Sequence, residues 1–137
     1  MSPDRGIILH WGKRVNTALW IAQILLALAF FATGLLKLTQ PKAVAYERGL
    51  KWVEDFSQGQ INMFGVLEIL GAIGLILPWA LNILPVLTPV AAVGLAIIML
   101  GAAYTHLRRG ENPIIAVNVV LLALALFVAW GRFTGAA

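Results

Sequence analysis

The chain has 137 residues, 61% of them hydrophobic and 12% charged, a balance that excludes an ordinary soluble domain and marks an integral membrane protein. The formal charge of +4 comes from lysines and arginines beside apolar runs, which fits anchoring at lipid headgroups and argues against nucleic acid as a partner. The absence of cysteine excludes thiol redox relays, thiolate metal sites and covalent cysteine chemistry.

Four spans of roughly 20 residues use most of this length, so a single domain over residues 1–137 is expected. Residues 1–14 read as a short tail, because Pro3, Gly6 and Gly12 interrupt Arg5, Lys13 and Arg14 and discourage a long helix. A first span is predicted over about 15–38, with Gln23 and Thr33 as internal polar residues and Lys37 at its far end. It follows basic residues as a signal peptide would, but its apolar run is too long for one, and an uncleaved span is expected. Residues 41–57 interleave Val44, Leu50, Trp52, Val53 and Phe56 with Lys42, Glu47, Arg48, Lys51, Glu54 and Asp55. Such a segment is too polar to cross the bilayer and amphipathic enough to lie on its surface, as a lid or an interfacial helix.

The second span, about 61–78, contains INMFGVLEILGAIGLIL, in which one carboxylate, Glu68, sits inside an apolar helix. An ionised group near that depth costs on the order of 3 kcal/mol even on lenient insertion scales, so Glu68 must face protein, a partner or water. Gly65, Gly71 and Ala72 share its face by helical spacing, which lets another helix come close; Leu67, Leu70 and Ile73 are left for lipid. A third span over about 86–107 is rich in Ala and Gly. Arg108 to Pro113 then make a turn, with Pro113 suited to the first turn of a fourth helix over about 113–131.

These elements predict an all-α fold: an integral membrane four-helix antiparallel bundle with both termini on one side and an amphipathic interfacial segment between helices 1 and 2. Trp20, Trp79 and Trp130 then gather on the terminal side, as interfacial aromatics should. The same threading puts Lys37, Glu68, His106 and Asn118, from four different helices, in one half of the membrane. Tyr104 and Thr105 fall at comparable levels, and Arg108 and Arg109 stand at the mouth. Polar groups converging between helices of a bundle are where a ligand site is expected. Each residue also has a structural reading. Glu68 and Lys37 would form a buried ion pair, His106 would be a satisfied interfacial histidine, Asn118 would hold helices together, and the arginines would anchor at headgroups. No metal site is expected, since the other histidine, His10, lies on the opposite side.

TGLLKL at the end of the first span, FGVLEILGAIGLILP in the second, TPVAAVGLAIIMLGAAYTHLRRGE in the third and NVVLLALALFVAWGRF in the fourth together resemble DoxX-like membrane proteins. The resemblance spans roughly residues 17–133. It implies a four-helix protein of the bacterial cytoplasmic (inner) membrane, in a family named for subunits linked to thiosulfate:quinone oxidoreductase, some of whose members accompany membrane redox complexes. It also implies a cytoplasmic N-terminus, whereas the lysine and arginine count favours cytoplasmic hairpin loops, so orientation stays open. The expectation is a small redox-associated subunit that binds a quinone-like or other lipophilic ligand. Lys37, Glu68 and His106 would handle protons or the polar head, with Asn118, Tyr104, Arg108 and Arg109 as further binding residues. The partners are the lipid bilayer and a membrane redox complex or a second copy of the chain. The alternatives are an interaction subunit without chemistry and, less favoured for four spans without inverted halves, a small-metabolite transporter.

Overall fold

The computed structural model describes residues 3–136 and is helical throughout its ordered elements: α1 (Pro3–Thr39), α2 (Lys42–Glu47), a 3₁₀ turn (Lys51–Asp55), α3 (Gln58–Ala80), α4 (Leu87–Arg109) and α5 (Asn112–Thr134). Four of these, α1, α3, α4 and α5, are long and apolar enough to cross a membrane. They pack as a closed ring in which α1 touches α3 and α5, and α4 touches the same two. Leu26, Phe30, Leu75, Leu95, Met99 and Val128 fill its core. Leu67, Leu70 and Ile73 face outward, as the spacing on α3 predicts.

The expected tail is a correction. Residues 3–14 continue the first span as helix, so α1 has 37 residues and is ~55 Å long by helical rise, well beyond the ~30 Å of hydrocarbon. Pro3 occupies the first helical position, where its missing N–H costs nothing. Gly6 and Gly12 each cost only about 1 kcal/mol, less than is needed to stop a helix already nucleated in the span.

Of the two expectations for the amphipathic segment, a lid or an interfacial helix, the fold is nearer the first: the segment forms a two-part cap. It breaks at Gly49, whose φ of 96° belongs to glycine, and Val53 of the 3₁₀ turn comes back onto Ala45 of α2 and Ile61 of α3. Trp52 and Phe56 pack around this small cluster, and Lys42 Nζ donates to Phe56 O at 2.6 Å. Ser57 then starts α3 with a capping box, its hydroxyl accepting from Gln60 N at 3.1 Å while Gln60 Oε1 accepts from Ser57 N at 3.0 Å.

At its other end α3 runs through Pro78 to Ala80 instead of closing there. Pro78 has no N–H for the carbonyl four residues earlier, which is Gly74 O. That oxygen accepts from Thr88 Oγ1 of α4 at 2.8 Å, and the next carbonyl, Leu75 O, accepts from Gln23 Nε2 of α1. Two side chains from neighbouring helices thus carry the proline through the bundle.

Glycines set the helix spacing where α1 meets α3. A Cβ on Gly34 would lie 2.8 Å from Gly65 O, and one on Gly65 would lie 2.9 Å from Gly34 O. The two backbones touch here, one turn before Lys37 and one turn before Glu68. Gly34→Ala is expected to force the helices apart at a cost of about 1 to 3 kcal/mol, read as a lower unfolding temperature in detergent. The same substitution at Gly94, where an added Cβ meets nothing within 4 Å, is expected not to lower it, and to raise it by as much as helix propensity contributes.

Candidate functional site

Glu68 is buried on the inner face of α3 with 2% exposure. Lys37 Nζ donates to both of its carboxylate oxygens at 3.0 Å, and Thr33 Oγ1, one turn earlier on α1, donates to Oε2 at 3.0 Å. Gly34 and Gly65 make this reach possible, because bulkier residues there would hold α1 and α3 apart. An ammonium has three N–H donors, so the pair leaves Lys37 a donor in hand. Its Nζ lies 5.5 Å from the centre of the Trp52 ring, so the cap supplies a π-face to the cation.

Beside this ion pair is a cavity of about 170 Å³ between the end of α1 and the cap. Thr33, Lys37 and Gln40 line one side, and Ala45, Trp52 and Val53 line the other. Its walls are mainly apolar, and Lys37 brings the charged end of the Lys37–Glu68 pair to its edge.

A second polar group ties the cap down at the end of α4. Arg109 binds Glu54 at 2.7 Å, Asp55 at 3.1 Å and Glu111 at 2.8 Å. Glu111 also accepts from His106 Nδ1 at 2.6 Å. The Arg109 guanidinium, with His106 adding to it, holds the Glu111 carboxyl below its ordinary value of 4.5 against the opposing effect of burial. Gly110, with φ of 70°, closes α4 in the left-handed conformation and allows Glu111 to turn back onto the end of α4.

The seven candidate site residues therefore separate into four environments. Lys37 and Glu68 are joined directly. His106 and Arg109 belong to the latch and share Glu111. Tyr104 and Arg108 point outward, with the guanidinium carbon 5.7 Å from the ring centre, in the manner of an interfacial pair. Asn118 is buried, and its Nδ2 has no hydrogen-bond partner. Three contributors escaped the sequence argument: Thr33, whose i−4 spacing from Lys37 was a usable signal; Glu111, five residues after His106; and Trp52, whose position over Lys37 depends on the tertiary path of the cap. Among the described residues no cluster of three or more His, Asp or Glu side chains is arranged to hold a metal ion.

A buried ion pair responds asymmetrically to mutation. Removing one partner strands the other charge and costs ~3 to 5 kcal/mol, whereas replacing both with apolar groups of similar volume is often neutral. Lys37→Met and Glu68→Leu are each expected to lower the unfolding temperature sharply, and the double variant to recover most of the loss. Additive losses in the double variant would mean that the two residues are not coupled.

A family model described as the DoxX-like family matches residues 21–128. No curated protein and no solved structure matches the chain. The matched stretch includes Thr33, Lys37, the whole cap, Glu68 and the latch from His106 to Glu111, and it stops before the last turns of α5. A match over most of the length, on a chain with four apolar helices of membrane-crossing length, identifies this multi-pass membrane protein as a member of the DoxX-like family.

Proposed function

We propose that the protein binds a lipophilic molecule with a small ring-shaped polar head, quinone-like in chemistry, in the cavity between the Lys37–Glu68 pair and the cap. The observation that carries this reading is the pairing of an apolar cavity with a partly satisfied ammonium at its wall. A cavity of ~150 Å³ lined by apolar side chains accepts a benzene ring, so about 170 Å³ accommodates one substituted ring and leaves any long tail outside among the lipids. The remaining N–H of Lys37 is available to a ring carbonyl oxygen, while Glu68 holds the ammonium in place. Trp52 forms an aromatic wall. The Arg109 latch holds the 3₁₀ turn, and with it Trp52, over the ligand.

In this account the protein is a small redox-associated subunit of the bacterial inner membrane. Lys37 and Glu68 act on the polar head, and His106 contributes through the latch. A second reading, an interaction subunit without chemistry, has one observation in its favour. Gly94 and Gly101 of α4 are exposed, with open space where a side chain would project, which would let a helix of another protein approach closely.

Native mass spectrometry after gentle extraction separates the two. Ligand binding predicts a lipophilic ring compound that co-purifies with the wild-type chain and is lost from the Lys37→Met/Glu68→Leu variant although that variant folds. A wild-type chain that carries no such compound, and whose Trp11→Phe/Trp20→Phe/Trp79→Phe/Trp130→Phe variant, which retains Trp52 alone, is not quenched saturably by a short-chain benzoquinone, would overturn the binding proposal.

A further inference from the structure

The end of the bundle away from the cap contains a charge that no described side chain neutralises. Arg132, in the last turn of α5, has 4% exposure. Its Nε donates to Gln23 Oε1 at 2.7 Å and its Nη1 to Asn16 Oδ1 at 2.9 Å. Gln23 is held by its own donation to Leu75 O, which turns its oxygen toward the guanidinium. The guanidinium carbon lies 4.4 Å from the centre of the Trp79 ring and 5.5 Å from that of Trp20. Nη2, with two N–H donors, has no acceptor.

Neutral oxygens and π-faces orient a guanidinium without cancelling its charge. Among the described residues no carboxylate pairs with Arg132. Glu68 is taken by Lys37, and Glu54, Asp55 and Glu111 are taken by Arg109. Asp4 is exposed on the protruding part of α1, and Glu47 is exposed in the cap at the opposite end. A buried charge without a counter-ion is costly enough that such groups normally have one. Lys13 and Arg14, both exposed and within a turn of Asn16, add positive potential around the same end of the bundle.

We propose that Arg132 is the base of a site for a phosphate oxyanion, entered from the terminal face between the half-buried rings of Trp20 and Trp79. A guanidinium fork matches phosphate oxygens in geometry as well as charge. The depth also fits, because Arg132 lies two residues before the end of α5, where lipid headgroups are found. The oxyanion comes either from an anionic phospholipid headgroup, which basic pockets between helices recognise, or from free phosphate. This site is independent of the ligand cavity at the cap end.

The test is thermal unfolding of the delipidated full chain in detergent with phosphatidylglycerol, phosphatidylcholine or inorganic phosphate added. Phosphatidylglycerol is expected to raise the unfolding temperature by several degrees more than phosphatidylcholine. An equal rise with inorganic phosphate assigns the site to the free ion, and no rise assigns it to the lipid. Arg132→Met is expected to abolish the response, whereas Lys13→Gln/Arg14→Gln keeps it. The proposal is overturned if neither anionic probe stabilises the wild type, or if Arg132→Met responds as the wild type does. Should Arg132→Met fail to fold, the Trp11→Phe/Trp52→Phe/Trp130→Phe variant reports from Trp20 and Trp79 alone. A saturable change in its emission with an anionic probe supports the site, and an unchanged spectrum refutes it.

Discussion

A carboxylate inside an apolar helix imposes a demand that only a nearby cation or water can meet, and in this bundle Glu68 is met by Lys37. The surrounding architecture serves that contact. Gly34 and Gly65 bring two backbones together one turn before the paired charges, Thr33 adds a third donor from the same face of α1, and the cap brings the Trp52 ring over the lysine. In a bilayer core each backbone N–H and C=O has to find its partner within the protein. The positions of polar residues on these four helices decide which faces turn inward more firmly than the apolar residues do.

The same rule explains the far end of the bundle. Pro78 frees the Gly74 carbonyl inside α3, and Thr88 fills the gap; Gln23 occupies the adjacent carbonyl and passes its oxygen to Arg132. The bundle therefore has two polar centres of different kinds. At the cap end a charge is matched by its opposite and borders a cavity. At the terminal end a charge is held by neutral groups and aromatic rings.

Much of this was legible in the sequence for a simple reason. Helix number and order follow from apolar run length, and the Lys37–Glu68 pair follows from depth, because antiparallel threading brings those two charges to one level on neighbouring spans. The cap was legible only as an amphipathic segment. Its actual path depends on a left-handed turn at Gly49 and on long-range packing of Val53 against Ile61, neither of which has a periodic signature. Residues 3–14 carry the glycines and proline of a tail yet are helical, because a helix propagating from an apolar span tolerates them. Arg132 has no mark in the sequence, because an arginine near a tryptophan at the end of a span has the composition of a headgroup anchor. Only its burial, and the Gln23 and Asn16 oxygens around it, distinguish it from one. His106 was grouped with Glu68 by depth, whereas its bond to Glu111 depends on the left-handed turn at Gly110.

The central claim is that the Lys37–Glu68 pair meets a ligand at the wall of the cap-end cavity. Infrared difference spectroscopy on the protein in lipid, before and after adding a short-chain benzoquinone, addresses it most directly. The account predicts a shift in an ionised carboxylate band that disappears in Glu68→Gln, accompanied by a shift of the quinone carbonyl band that disappears in Lys37→Met. A quinone carbonyl band identical in the wild type and Lys37→Met, with no carboxylate change, would contradict it.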